Sequence, residues 1–229
     1  MGTALAAALR TAGLDVDGPA GRGEVQQGCD AILLCVPDAA IAEAAAAVAG
    51  AAPMVGHTSG ATPLTALEPA RAGAVFGLHP LQTITGPGTA FAGCGCAVAG
   101  SSAAALAAAR ELAVLLGMRP FELDDSRRAA YHAAASISSN FLVTVEAAAE
   151  SMAGAAGIEP EDARGLLAPL VRSTVENWAQ LGPERALTGP VARGDWKTVE
   201  AQRAAVAAER PELLELFDAL VARTREVAR

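Results

Sequence analysis

The chain has three histidines, and each stands where an imidazole could be used. His57 opens the run His57-Thr58-Ser59-Gly60, His79 is followed by Pro80, and His132 precedes Ser136 and Asn140 by four and eight residues. Imidazole titrates near pH 6.5, so it can take or give a proton close to neutrality. A buried histidine bonded to a backbone carbonyl is the structural alternative for His57 and His79, and a packed residue between domains is the alternative for His132. The i, i+4, i+8 spacing places His132, Ser136 and Asn140 on one face of a helix, one above another. Arg193, in the glycine-flanked loop 188–194, could clamp a carboxylate bidentately. Asp195 beside it reads as a helix N-cap, and Asn177 and Trp178 as packing residues.

These residues need elements to hold them. Residues 2–12 read as a helix, with Leu5, Ala8, Leu9 and Ala12 at helical spacing and Gly13 as its stop. Residues 14–16 read as a short strand and 19–23 as a turn. The continuous apolar run 31–36, AILLCV, suits a parallel strand buried on both faces and is ended by Pro37-Asp38. Asp38 either caps the alanine-rich helix 39–48 or contacts a ligand. Strands follow at 53–57, 74–79, 96–99 and 119–123, with helices at 63–71 and 102–116. Strand and helix in alternation predict a parallel sheet with helices on its faces. Val36-Pro37, His57 and His79-Pro80 then end strands at the carboxyl edge, where such sheets take their ligands. After Asp124-Asp125 the strand signals stop. One long helix is predicted over 126–155, then 161–181 opened by Pro160, 195–209 and 211–227. The expected organisation is an α/β domain, 1–124, followed by an all-helical domain, 125–229.

Composition narrows the function classes. Seventeen basic against 25 acidic residues leave a net charge of −8, with no basic run, which argues against nucleic acid as a partner. Aromatic residues at 3% leave little for base stacking. The apolar stretches near 39–52 and 101–116 are interrupted by charge and fall short of the roughly 20 residues of a membrane span. No signal peptide pattern opens the chain. Cys29, Cys35, Cys94 and Cys96 lack a paired zinc spacing, so no metal is expected, and they read as reduced thiols of a cytoplasmic protein.

A doubly wound nucleotide-binding sheet is normally entered by a strand and a glycine turn, followed by a helix whose N-terminus holds a pyrophosphate. This chain opens directly into that helix at Met1-Gly2-Thr3. The expectation is a start placed too late, with the first strand missing; a fold that truly lacks the strand is the alternative. Gly2 and Thr3 would hold the cofactor phosphates, and Val36 and Pro37 its ribose. Arg22, after the second strand, either binds the extra phosphate of NADP or is a surface residue, so NADP is expected, with NAD as the alternative.

Six stretches carry a resemblance: MGTALAAALRTAG at 1–13, LLCVPDAAI at 33–41, HTSGA at 57–61, GLHPLQT at 77–83, YHAAASISSNFLV at 131–143 and LTGPVARGD at 187–195. Together they resemble the bacterial Rossmann-like proteins with a C-terminal domain of unknown function, number 2520, within the 6-phosphogluconate dehydrogenase-like and ketopantoate reductase-like oxidoreductases. The resemblance spans essentially the whole chain. It implies that Gly2 is the last glycine of the dinucleotide turn, and that His57, Ser59 and Gly60 pass close to a nicotinamide. His79-Pro80 resembles the His-Pro of prephenate dehydrogenases, which implies a general acid. Ketopantoate reductases carry Lys, then Asn, on the first helix of the helical domain. Asn140 matches the Asn, while His132 stands where the Lys belongs and is charged only part of the time.

The resulting expectation is a cytoplasmic NADP-dependent reductase or dehydrogenase acting on a small oxo or hydroxy acid. His79, His132 and Asn140 would be catalytic, and Ser136 and Arg193 would hold substrate. A homodimer through the helical domain is expected. A nucleotide-binding sensor that has lost turnover is the alternative, favoured by the missing Lys. A third reading is that this 229-residue form has no cellular counterpart.

Overall fold

The computed structural model describes residues 1–21 and 23–228. Arg22, expected to choose between NADP and NAD, lies outside the described residues. The chain divides into two compact units, Met1–Ser139 and Asn140–Arg229.

The first unit opens with helix α1, Gly2–Thr11. Strand β1, Ala31–Leu34, helix α2, Ile41–Ala47, and strand β2, Met54–His57, follow. Strands β3, Ala74–Pro80, and β4, Gly95–Gly100, come next, then helix α3, Ala103–Leu115, and strand β5, Arg119–Glu122. Helix α4, Arg128–Ser138, ends the unit. The strands form one sheet in the order β1-β2-β3-β4-β5. Pairing is parallel for β1–β2, β2–β3 and β4–β5, and antiparallel for β3–β4. A parallel return needs a crossover of a dozen or more residues, usually a helix. The link 81–94 carries no helix, so β4 comes back beside β3 in the opposite sense.

Alternating side chains fill a core on each face of the sheet. On one face Phe76, Leu78, Cys96 and Val98 pack against Ala4 and Leu5 of α1 and Ala105, Ala109 and Ala113 of α3. On the other, Leu34 and Val55 meet Ile41 and Ala45 of α2, with Leu67 and Ala70. The period of two along each strand sends neighbouring residues to opposite cores. The fold is therefore a Rossmann-type α/β sheet between helical layers, followed by a helical unit.

Several expected elements differ. Residues 14–16 are not a strand: the Arg10 guanidinium takes the Val16 carbonyl at 2.8 Å and also the Gly18 carbonyl, occupying acceptors a strand partner would use. Asp38 caps no helix. It sits inside a 3-10 turn, Asp38–Ala40, that follows Pro37 and leads into α2. The segment expected as a helix at 63–71 is a 3-10 helix, Leu64–Ala70, because Pro69 removes an N–H and biases Glu68 away from α geometry.

The largest difference is that the long helix expected over 126–155 is two helices. Ser139, at φ −126° and ψ −76°, breaks it. The run Ser136-Ile137-Ser138-Ser139-Asn140 holds four short polar residues whose side chains compete for the backbone and favour helix ends. His132 and Ser136 therefore belong to the first unit, and Asn140 begins the second. The helix that carries His132 and Ser136 ends before Asn140.

The second unit comprises α5, Asn140–Ala155, α6, Pro160–Leu181, and two short helices, α7, Pro183–Ala186, and α8, Pro190–Arg193. It closes with α9, Trp196–Glu209, and α10, Leu214–Val227. Pro160 occupies the first turn of α6, where its missing N–H costs nothing. Asp195 caps α9 by accepting the Thr198 N–H at 3.2 Å. Residues 190–193, expected as loop, form α8. Bidentate ion pairs link Arg164 to Glu150 and Arg203 to Asp218, tying α6 to α5 and α9 to α10.

Candidate active site

The polar residues of the first unit gather at the carboxyl ends of β2 and β3. His57, the last residue of β2, is completely buried. The Ser59 backbone N–H donates to its Nδ1 at 3.2 Å, which leaves the ring proton on Nε2. Nε2 has no hydrogen-bond partner of ordinary geometry among the described residues. Burial first, and then the charge of Arg128, lowers the His57 pKa to about 4; the Pro63 backbone opposes this weakly. His57 is therefore a neutral imidazole at pH 7. The hydroxyl of Ser59 accepts the N–H groups of Ala61 and Thr62 at 3.2 and 2.9 Å and shapes the turn that carries Gly60.

His79 stands near the carboxyl end of β3. Its ring lies against Gly60: a Cβ there would fall 2.8–3.0 Å from three ring atoms, so only glycine admits this approach. His79 Nδ1 is 2.6 Å from the Tyr131 hydroxyl, with the two rings edge to face. Phe121 backs Tyr131 edge-on, and the His132 ring centre is 6.4 Å from that of His79. Burial, then the charges of His132 and Arg128, pushes His79 down to about 4. Burial, with the Cys96 and Cys94 thiols nearby, raises Tyr131 to about 12. At neutral pH the pair is thus a neutral imidazole and a protonated phenol. Nε2 of His79 has no protein partner among the described residues.

Helix α4 holds this pair in place. Arg128, Tyr131 and His132 stand at i, i+3 and i+4, one side of the helix. Arg128 is only 3% exposed. Its Nε donates to Asp125 Oδ1 at 2.5 Å and its Nη1 lies 3.4 Å from the Ser59 carbonyl. Asp125 Oδ2 accepts the Leu64 N–H at 3.0 Å. Both ends of the turn 59–64 are therefore pinned to the start of α4. A Cβ on Gly77 would come within 3.1 Å of Arg128 Nη2, so the bare backbone of β3 makes room for the guanidinium.

A second group lies at the carboxyl end of β1. The strand ends at Leu34, so Cys35 stands between it and Val36-Pro37, and a Cβ on Gly2 would come 3.2 Å from the Cβ of Cys35. The start of α1 thus reaches the same edge of the sheet. Gly2 and Thr3 form the first turn of this helix, which carries no acidic side chain, so its N–H groups present positive partial charge there. This end fits the phosphates of a dinucleotide. Ser136 is half-buried on α4; Asn140 and Arg193 are exposed residues of the second unit. Among the described residues, no three His, Cys, Asp or Glu side chains are grouped to hold a metal ion, and no helix is long and apolar enough to cross a membrane.

Tyr131, Arg128 and Asp125 were not among the residues expected from the sequence. Tyr131 is the only tyrosine of the chain and stands beside His132 in a segment already singled out. The helical spacing used for His132 and Ser136, carried one turn backwards, reaches Arg128.

Comparison with known proteins bears on this arrangement. The profile of the family "Domain of unknown function (DUF2520)" matches residues 94–224. No curated protein matches the chain. Among solved structures, a Bacteroides fragilis protein named as a candidate NADP oxidoreductase superposes with a TM-score of 0.82 at 21% identity, over 98% of this chain and 93% of that one. A Thermotoga maritima protein gives 0.77 at 26% identity, over 89% and 81%. The pyrroline carboxylate reductase of Plasmodium falciparum, solved with NADP bound, gives 0.63 at 10% identity, over 99% and 94%. Such likenesses establish the shared fold.

Proposed function

The chain belongs to the family of the domain of unknown function DUF2520, and on that premise we propose that it is an NADP-dependent oxidoreductase acting on a small oxo or hydroxy acid. The observation that carries this reading is His79, paired with Tyr131 and laid over Gly60, at the carboxyl edge of the sheet that the start of α1 also reaches. Gly2 and Thr3 would hold the phosphates, Val36 and Pro37 the ribose, and the turn with His57, Ser59 and Gly60 the nicotinamide. When bound, that cofactor supplies or receives the hydride. NADP is preferred to NAD because proteins of this fold were solved as NADP or NADPH complexes.

The chain's own residues would manage the proton and the orientation. His79, neutral and open at Nε2, faces the space over Gly60 and can hydrogen-bond a reacting group. A general acid in the imidazolium form is not available to it at neutral pH, so its proton must be drawn from the neutral ring with Tyr131 behind it. His132 adds a second imidazole at the same site, and Ser136 is the substrate-holding candidate on α4. Asn140 keeps the catalytic role and Arg193 the substrate-binding role inferred for them, each to be tested by substitution. Buried His57 has no open path to a reacting atom, and its part is to shape the turn.

The four free cysteines fit a reducing compartment such as the cytoplasm. A second copy of the chain is the inferred macromolecular partner. In the second unit Phe141 and Val143 of α5, and Leu166, Leu170 and Trp178 of α6, are each more than half exposed. Their exposure on two neighbouring helices of one unit supports that reading.

Calorimetric titration with NADPH and NADH, followed by NADPH oxidation against a panel of 2-oxo acids, tests the reading. Binding with turnover supports it. Binding without turnover transfers the chain to the sensor class, and absence of any binding removes the dinucleotide assignment.

A further inference from the structure

His79 enters its site with one ring nitrogen committed and the other open, and the direction of the committed bond decides what the open one can do. A neutral imidazole carries a single N–H. If Nδ1 accepts from Tyr131, the proton is on Nε2, which becomes a donor. If Nδ1 donates to Tyr131, Nε2 is a bare acceptor.

The surroundings favour the first direction. Phenol is the stronger acid of the two groups and imidazole the stronger base, so O–H···N is the lower-energy form of a contact as short as 2.6 Å. The Tyr131 hydroxyl has no second partner among the described residues, so a reversed bond would leave its hydrogen without a protein acceptor. The phenol does not ionise near neutrality and keeps that hydrogen. His57 shows the same chemistry next door, where a backbone N–H on Nδ1 selects the same tautomer.

We propose that Tyr131 is a positioning residue that holds His79 as the Nε2–H tautomer, so that the site engages its substrate through an oxygen acceptor and not through a protonated imine. The substrate half of this inference rests on the oxidoreductase reading; the tautomer half concerns the free protein alone. A carbonyl oxygen offers lone pairs to Nε2–H and gains negative charge as its carbon is reduced, so the bond strengthens through the reaction. A protonated imine would set its own N–H against Nε2–H and bring a further positive charge near Arg128. In the reduction, hydride from a reduced nicotinamide adds to the carbonyl carbon and the C=O electron pair moves to oxygen. The oxygen then takes the Nε2 proton while Nδ1 takes the phenol proton, and solvent reprotonates the tyrosinate. Ketone, hydride and one proton balance to the alcohol.

The test begins with the full chain, 15N-labelled, free of any ligand, at neutral pH. Long-range proton–nitrogen correlation should show His79 protonated on Nε2 and bare on Nδ1, and Tyr131→Phe should shift it to a mixture of tautomers with His132 unchanged. A wild-type His79 protonated on Nδ1, or a Tyr131→Phe spectrum with the tautomer unmoved, overturns the proposal. Phe121 supports the ring in either variant, so the substitution removes an oxygen and leaves the packing. The second arm compares kcat/KM for 2-oxo acids and cyclic imines with NADPH. The oxo acids should lead by at least about tenfold, equivalent to about 1.4 kcal/mol, and Tyr131→Phe should lower kcat with KM for NADPH unchanged. Preference for imines overturns the substrate class. Turnover of neither, beside the expected tautomer, overturns the substrate inference through loss of the oxidoreductase reading itself.

Discussion

His79 and His57 are chemically alike but differently placed, and the difference is one of access. His79 keeps Nε2 free at the Gly60 turn, whereas Nε2 of His57 is sealed inside the fold. His79→Gln should therefore lower kcat by about 10²–10⁴-fold, the range for a lost proton-transfer group, with NADPH affinity retained in calorimetry. An effect on affinity alone would remove His79 from the chemistry. Both rings titrate near pH 6.5 when unfolded and near 4 when folded. Between those values the unfolded chain binds more protons, so stability is complete above pH 6.5 and is lost as pH falls toward 4. The completely buried His57 should account for a loss on the order of 3 kcal/mol. Urea midpoints measured from pH 7.5 to 4.5 should fall across that window, and less steeply for His57→Asn. A flat wild-type profile would contradict the assignment.

At the scale of elements, the start of α4 decides whether the site exists. Asp125 and Arg128 fasten it to Leu64 and Ser59, and Tyr131 one turn on then reaches His79. The two partners are unequally exposed, Arg128 at 4% and Asp125 at 37% of the side chain. Asp125→Ala strands a buried guanidinium and should cost about 3–5 kcal/mol. Arg128→Met leaves a carboxylate that water can reach and fills the space with a chain of similar length, so it should cost less. Chemical denaturation of both variants gives the order, and the reverse order would mean the pair is not a buried clamp. The break at Ser139 belongs to the same scale. The apolar periodicity runs unbroken through 126–155, and only the cluster of serines marks the place where the helix stops and a new unit begins.

At the scale of the whole molecule, the two units bury apolar surface unevenly. The first encloses two cores, one on each face of its sheet. The second leaves Leu166, Leu170 and Trp178 of α6 more than half exposed. If a second copy covers this face, size-exclusion chromatography with light scattering should report a dimer. Leu170→Glu, which places a charge where apolar contact is needed, should then shift it to monomer without changing the circular dichroism spectrum. A wild-type monomer would withdraw the interface.

The residue pattern alone determined the class of fold. Continuous apolar runs marked buried strands, alanine-rich periodic segments marked helices, and the end of strand signals marked the change to helix, because all three are local consequences of side-chain spacing and burial. It also singled out His57 and His79 as strand-ending residues, and the resemblance added Ser59 and Gly60, while the adjacency of the two strands came from the sheet order. Tertiary structure alone decided the rest. The pairing of Tyr131 with His79 joins residues 52 apart, and the hold of Arg128 on Ser59 joins residues 69 apart. The antiparallel turn of β4 was decided the same way, by a link too irregular to cross over. No local spacing encodes a contact between distant segments, whose closure depends on which surfaces the packed sheet brings together.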